Sequence, residues 1–259
     1  MPEFTSYAAG TPSWVDHATK DLESSNSFYG TLFGWTADDQ GEEMGHYTLL
    51  RKGGKTVAGN MAAMAEGQPS AWVSYVSVDN ADATVDLARK AGATVFVEPM
   101  DVGDIGRMAV FADPTGAAVG IWQPKTFHGA ELANEPGAFA WNELNTRDVP
   151  AAKDFYTEVF GWTPNDLDME GMSYTEWKLA DRGVAGMMAM PDMVPAEVPA
   201  HWLVYFGVDD TDASVAKATE LGASTLVPPT DIPPGRFAVL SDPDGAVFAV
   251  IKMNPMTAG

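Results

Sequence analysis

The chain has 259 residues, 46% of them hydrophobic, so it is long enough for one large or two ordinary packed domains, and global disorder is excluded. Fifteen Lys+Arg against 36 Asp+Glu leave a formal charge of −21, a surface that repels phosphate backbones and anionic lipid; nucleic acid and membrane surfaces are therefore poor partners. With no cysteine there are no disulfides, thiolate ligands or Cys nucleophile, and no run reaches the roughly 20 apolar residues of a membrane span.

The first ten residues, Met1 to Gly10, lack the basic start and apolar core of a secretory signal, so a cytoplasmic location is expected. A strand around Trp14 then leads, seven residues on, to Asp21, which reads as the N-cap of a helix ending at Gly34. Trp72 stands seven residues before Asp79, which opens a helix ending at Gly92. The strand-like segments "ATVFVEP", "RMAVFAD" and "AAVGIWQ" follow, the last two joined by the turn "DPTG". Trp141 precedes Asp148 by seven residues, with Pro150 in the first turn of a helix ending at Gly161; Trp202, Asp209 and Gly222 repeat the spacing.

The halves are copies. "SWVDHATKDLESSNSFYGTLFGW" (13–35) returns as "AWNELNTRDVPAAKDFYTEVFGW" (140–162) at an offset of 127, which Tyr47 and Tyr174 keep. "WVSYVSVDNADATVDLARKAGAT" matches "WLVYFGVDDTDASVAKATELGAS" at 130, and "GRMAVFADPTG" matches "GRFAVLSDPDG" at 129. The pattern predicts four βαβββ units in an α+β chain: one domain over 10–125, a polar linker over 126–136, and a second domain over 137–254.

"DLESSNSFYGTLFGW" and "GRMAVFADPTG" resemble the vicinal oxygen chelate superfamily of glyoxalase I, extradiol dioxygenases and bleomycin- and fosfomycin-resistance proteins. The two-domain pattern is most similar to an actinobacterial glyoxalase-like group labelled as hydroxylases. The resemblance implies two tandem domains, each a half-open mixed β-barrel, or cup, with flanking helices. It also implies a divalent metal held by His, Glu or Gln seven residues before the capping Asp and by Glu on the closing strand. Here those opening positions read Trp14, Trp72, Trp141 and Trp202, and the closing ones Gly120 and Ala249. An indole N–H donates and cannot ligate, so no metal and no other cofactor is expected. His17, His46, His128 and His201 do not fall at repeat-equivalent places, and His17 and His201 sit one step from the ligand position, which turns them to the opposite sheet face.

Alternation places Asp16 beside Trp14 and Glu143 beside Trp141 on one inner face. The indoles either fill the volume of the lost metal site or stack on a planar or cationic ligand. Tyr47, Tyr174, Asn60 and Trp122 are further candidates for a cup lining, Ile251 holding the place of Trp122 in the second half. Arg107 and Arg236 read either as grips for an anion or as surface partners of the many acids. Trp35 and Trp162, after helix-ending glycines, read as packing anchors, and the Met-rich stretches as core filler or as adaptable walls. No GxGxxG, Walker loop or GxSxG elbow is present. The expected function is metal-independent binding of a planar aromatic or cationic metabolite or antibiotic, for drug sequestration or in antibiotic biosynthesis. The alternative is a glyoxalase, lyase or oxygenase of the same superfamily, and the fold permits a homodimer.

Overall fold

The computed structural model describes residues 3–63, 67–169 and 172–254. Unit one runs β1 (Pro12–Thr19), α1 (Leu22–Phe33), β2 (Thr36–Asp39), β3 (Thr48–Lys52) and β4 (Lys55–Ala62). Unit two is β5 (Ala71–Ser77), α2 (Ala81–Lys90), β6 (Thr94–Val102), β7 (Gly106–Ala112) and β8 (Ala118–Pro124). The second half repeats both: β9 (Phe139–Thr146), α3 (Val149–Phe160), β10 (Thr163–Met169), β11 (Met172–Leu179) and β12 (Arg182–Ala189), then β13 (His201–Gly207), α4 (Thr211–Glu220), β14 (Ser224–Ile232), β15 (Gly235–Ser241) and β16 (Val247–Met253). Among the described residues no helix is long and apolar enough to cross a membrane.

Asp21 and Asp148 cap α1 and α3 as expected, accepting from the backbone N–H of Ser24 and Ala151. Gly34 and Gly161 end those helices in the left-handed region, at φ 73° and 69°. In the other two units the cap lies one residue later than the sequence suggested. Asn80, not Asp79, accepts from Ala83, and Asp210, not Asp209, accepts from Ala213. That single step decides which way two tryptophans point.

Each half is one eight-stranded mixed sheet, ordered β2-β3-β4-β1-β5-β8-β7-β6 and β10-β11-β12-β9-β13-β16-β15-β14. The opening strands of paired units meet antiparallel at the centre (β1 with β5, β9 with β13), and β1, β5, β9 and β13 each pair in parallel with the last strand of their own unit. The result is two tandem α+β domains.

The helical faces of the two domains share their cores. Phe28, Tyr29 and Phe33 of α1 pack on Phe248 of β16, and Phe155 of α3 packs on Phe111 of β7. A hydrogen-bonded relay crosses the boundary twice. Trp72 Nε1 donates to Tyr29 OH (2.9 Å), which donates to Asp242 Oδ2 (2.9 Å); Trp202 Nε1 donates to Tyr156 OH (2.8 Å), which donates to Asp113 Oδ2 (2.8 Å). The other oxygen of each aspartate accepts the backbone N–H groups of its own "DPxG" turn. One carboxylate thus shapes a turn and ties the domains together. Tyr156→Phe leaves a carboxylate oxygen and an indole N–H buried without partners, an expected cost of about 1–3 kcal/mol in urea denaturation. Tyr29→Phe should cost less, because His17 Nε2 lies 3.3 Å from the same Asp242 oxygen.

The segment preceding each domain packs on the other. Gly10 O accepts Trp162 Nε1 (2.7 Å), and Gly137 O, 127 residues on, accepts Trp35 Nε1 (2.7 Å). Both indoles are buried, as expected of packing anchors. Both glycines have positive φ, and a Cβ on Gly10 would lie 3.1 Å from Phe160 O. The polar stretch between the halves is held along its length: Ala130 N donates to Ser13 O, and Glu131 accepts from Thr56.

Candidate functional site

In β1, Val15 and His17 face α1, while Trp14 and Asp16 face away from the helices, onto the cup face of the sheet. Trp14 Nε1 donates to Asp16 Oδ1 (2.6 Å) and lies 3.0 Å from Tyr47 OH. Tyr47 donates a short hydrogen bond to the same carboxylate oxygen, and the Tyr75 hydroxyl also bonds Asp16. Burial pushes the Asp16 carboxyl up to about 6 against the pull of those donors and of His17. Burial also drives both tyrosines well above the usual phenol range, with the Asp16 charge adding to it. Asp16 opposes Gly59 on β4, where a Cβ would collide with the Tyr47 hydroxyl and with Asp16 itself.

The second half carries the counterpart. Trp141 Nε1 donates to Tyr174 OH (2.9 Å), and Tyr205 OH donates to Glu143 Oε1 (3.0 Å). Burial raises the Glu143 carboxyl, opposed by hydrogen bonds from Tyr205 and Tyr174. Gly186 opposes Glu143 as Gly59 opposes Asp16, with Tyr174 OH and Trp141 lying over it.

Tyr75 and Tyr205 are not among the residues that the sequence pattern singles out, although both keep the offset of 130 in "WVSYVSV" and "WLVYFGV". The cause is the cap. Counting seven back from Asn80 and Asp210 gives Val73 and Leu203, which pair with Asp16 and Glu143 on the cup face. Trp72 and Trp202 are one residue off, and a one-residue step reverses every side chain of a strand. They therefore point to the helices, into the Tyr29 and Tyr156 relays, and not into a cup. Asn60 is corrected by register: it pairs with His17, not Asp16, and so faces α1, bonding Ser25, Asn26 and His17. Arg107 and Arg236 grip no cup either; each forks onto a helix acid, Asp82 and Asp212 respectively. Trp14, Asp16 and Tyr47 converge in one half, and Trp141, Glu143 and Tyr174 in the other.

The cups differ in covering. Trp122 lies over Gly106 and donates to Phe127 O (2.8 Å), and the Phe127 ring stands edge-on to Trp14 at 4.9 Å. Ile251 replaces Trp122 in the second half, where Trp141 is only half-buried.

The residues at the metal-ligand positions implied by the fold are Trp14, Val73, Trp141, Leu203, Gly120 and Ala249, none of which carries a coordinating side chain. The Tyr75 ring lies over Gly120, in the space an acid there would need for its Cβ. Among the described residues no group of three or more His, Asp or Glu is placed to hold an ion. The donor set does not fit a metal of that kind.

The family model described as Glyoxalase/Bleomycin resistance protein/Dioxygenase superfamily matches residues 12–121 and 138–250. The chain is 44% identical over 263 residues to the "Putative glyoxylase CFP32" of Mycobacterium tuberculosis, covering 98% of this chain and 99% of the relative. It is 39% identical over 275 residues to the "Anthracycline biosynthesis protein DnrV" of Streptomyces peucetius, covering 98% of each. The Mn(II)-bound glyoxalase of Novosphingobium aromaticivorans shares the fold with a TM-score of 0.64 at 17% identity, over 94% of this chain and 82% of that one. The 2,2',3-trihydroxybiphenyl 1,2-dioxygenase of Sphingomonas wittichii does so with a TM-score of 0.65 at 13% identity, over 95% and 91%.

Proposed function

Because the chain belongs to the Glyoxalase/Bleomycin resistance protein/Dioxygenase superfamily, yet carries non-coordinating residues where that fold places metal ligands, we propose a metal-independent binding protein. Its ligand is a planar aromatic or cationic metabolite or antibiotic, and its role is drug sequestration or assistance in antibiotic biosynthesis. The observation that carries this reading is the cluster of one indole, one carboxylate and two tyrosines built twice on the cup faces. A flat ring stacks on the indole, and its hydroxyl or ammonium group meets the carboxylate. The relative named for anthracycline biosynthesis supports polycyclic quinones as the first class to try. Titrating such quinones should change tryptophan emission, and Trp141→Phe should weaken the response at least tenfold. A panel that never perturbs the emission would remove the proposal.

A metal-free or metal-dependent enzyme of the glyoxalase, lyase or oxygenase type is the second reading. Asp16, titrating at about 6, has the acidity of a group that exchanges protons near neutral pH. Stoichiometric transition metal in native protein, with turnover lost on chelation, would establish the metal enzyme. Turnover that survives chelation but is abolished by Asp16→Asn would establish the metal-free one.

A further inference from the structure

The duplicated straps that lie across the domains are not chemically equal. In the first half, Lys55 at the start of β4 pairs with Glu3 (2.9 Å). Next to it, Thr56 N and Oγ1 donate to Glu131 Oε2 at 2.9 and 3.0 Å, and Arg51 NH1 lies 3.9 Å from that oxygen. Two strap carboxylates therefore neutralise this corner. Shifting by the repeat offset of 127 turns Lys55 into Arg182, Thr56 into Gly183, Glu3 into Ala130 and Glu131 into Phe4. The second half keeps the cation and loses both acids.

Among the described residues Arg182 pairs with no acid. Arg51, Arg89, Arg107 and Arg236 each pair with an acid, and Arg147 donates to the carbonyls of Val194, Pro195 and Val198. Glu176, beside Gly183, is held by Lys178 (3.5 Å) and Asn165 (3.0 Å). Of the six arginines, Arg182 alone has neither a carboxylate nor a carbonyl partner among the described residues. It stands at a cleft of about 60 Å³ whose walls include Phe4, Tyr7, Asn134, Phe139 and Trp141. Phe4 and Tyr7 are stacked on each other (5.2 Å, 12° between planes), and the Tyr7 hydroxyl donates to Ala130 O, so this wall is braced. The cleft is open to solvent, so a ring can rest against these walls without being enclosed.

We propose that this cleft binds a small aromatic carboxylate, its carboxylate forked on Arg182 in the role that Glu3 plays toward Lys55 in the first half, and its ring against the aromatic walls. The planar guanidinium matches a carboxylate with two parallel hydrogen bonds, and the flat walls match a ring. The cleft borders the second carboxylate cluster through Trp141, but its charged group is Arg182 and not Glu143, and the proposal stands whether or not the cups take quinones.

Benzoate is the probe, followed by ¹⁵N NMR of the full chain. Benzoate should shift the Arg182 Nε–H and Trp141 indole signals, and benzyl alcohol should bind at least tenfold more weakly. Arg182→Gln should lower benzoate affinity at least tenfold while leaving the quinone response of the cups unchanged. Phe4→Glu, which installs the acid the first strap carries at Glu131, should block benzoate while keeping the fold. Equal affinity for benzoate and benzyl alcohol, or benzoate binding that Arg182→Gln does not alter, would overturn the proposal.

Discussion

Trp162→Ala is expected to destabilise the chain by about 3–5 kcal/mol, a large part of the roughly 5–15 kcal/mol available to an ordinary domain. The indole is fully buried, and its N–H is satisfied by Gly10 O at 2.7 Å. Its ring stacks on Tyr156 (5.5 Å, 15°) and contacts Phe160 (5.2 Å), Trp177 (5.8 Å) and Trp202 (6.1 Å). Truncation opens a cavity among rigid rings that cannot collapse into it. It also leaves the Gly10 carbonyl without its donor and frees the strap that crosses the second domain. Trp162→Phe should recover part of the loss by refilling the volume without the N–H. Urea denaturation followed by circular dichroism measures both; a cost below about 1 kcal/mol for the alanine variant would mean that the aromatic layer repacks.

The second large effect is a dependence on pH centred on Asp16. The folded carboxyl titrates at about 6 and the unfolded one at 3.8. Between those values the folded chain holds a proton that the unfolded chain has released, so stability falls as pH rises through that window. Below 3.8 this group imposes no penalty; above 6 the penalty is complete, at about 3 kcal/mol for a carboxyl raised that far. Glu143 acts in the same direction. Exposed Asp82 and Asp212, lowered first by hydrogen bonds from Arg107 and Arg236, act oppositely, so the total curve is a composite. Asp16→Asn isolates the contribution of this one carboxyl. The amide keeps an acceptor for Tyr47 and Trp14 but cannot ionise, so the variant should gain stability relative to the parent as pH rises from about 4 to about 7. Parallel curves for the two proteins would mean that Asp16 is ionised and adequately solvated throughout.

Much of the site was half legible. Trp14 with Asp16, and Trp141 with Glu143, follow from alternation along a single strand, which needs no knowledge of neighbours. Tyr75 and Tyr205 were lost because they enter the cluster from β5 and β13, and their facing depends on where the following helix begins. An Asp-Asn pair at 79–80 and an Asp-Asp pair at 209–210 offer two competent caps each, and local chemistry does not separate them. Arg107 and Arg236 illustrate the same limit, since a strand arginine shows its charge in sequence but not which helix acid lies beside it.

What the sequence alone established was the fourfold βαβββ order, the matching of the halves at offsets of 127 to 130, the helix stops at Gly34 and Gly161, and non-ligating residues at Trp14, Trp141, Gly120 and Ala249. All of these rest on repetition, short-range backbone geometry and side-chain chemistry. The tertiary structure decided the rest. It turned Trp72 and Trp202 onto the helices, made the "DPxG" aspartates of one domain receive tyrosines of the other, and laid each strap across the opposite half. It also left Arg182 without the acids that its counterpart Lys55 and the neighbouring Thr56 enjoy. Those outcomes depend on strand register and long-range packing, where a shift of one residue reverses a face and a partner lies far away along the chain.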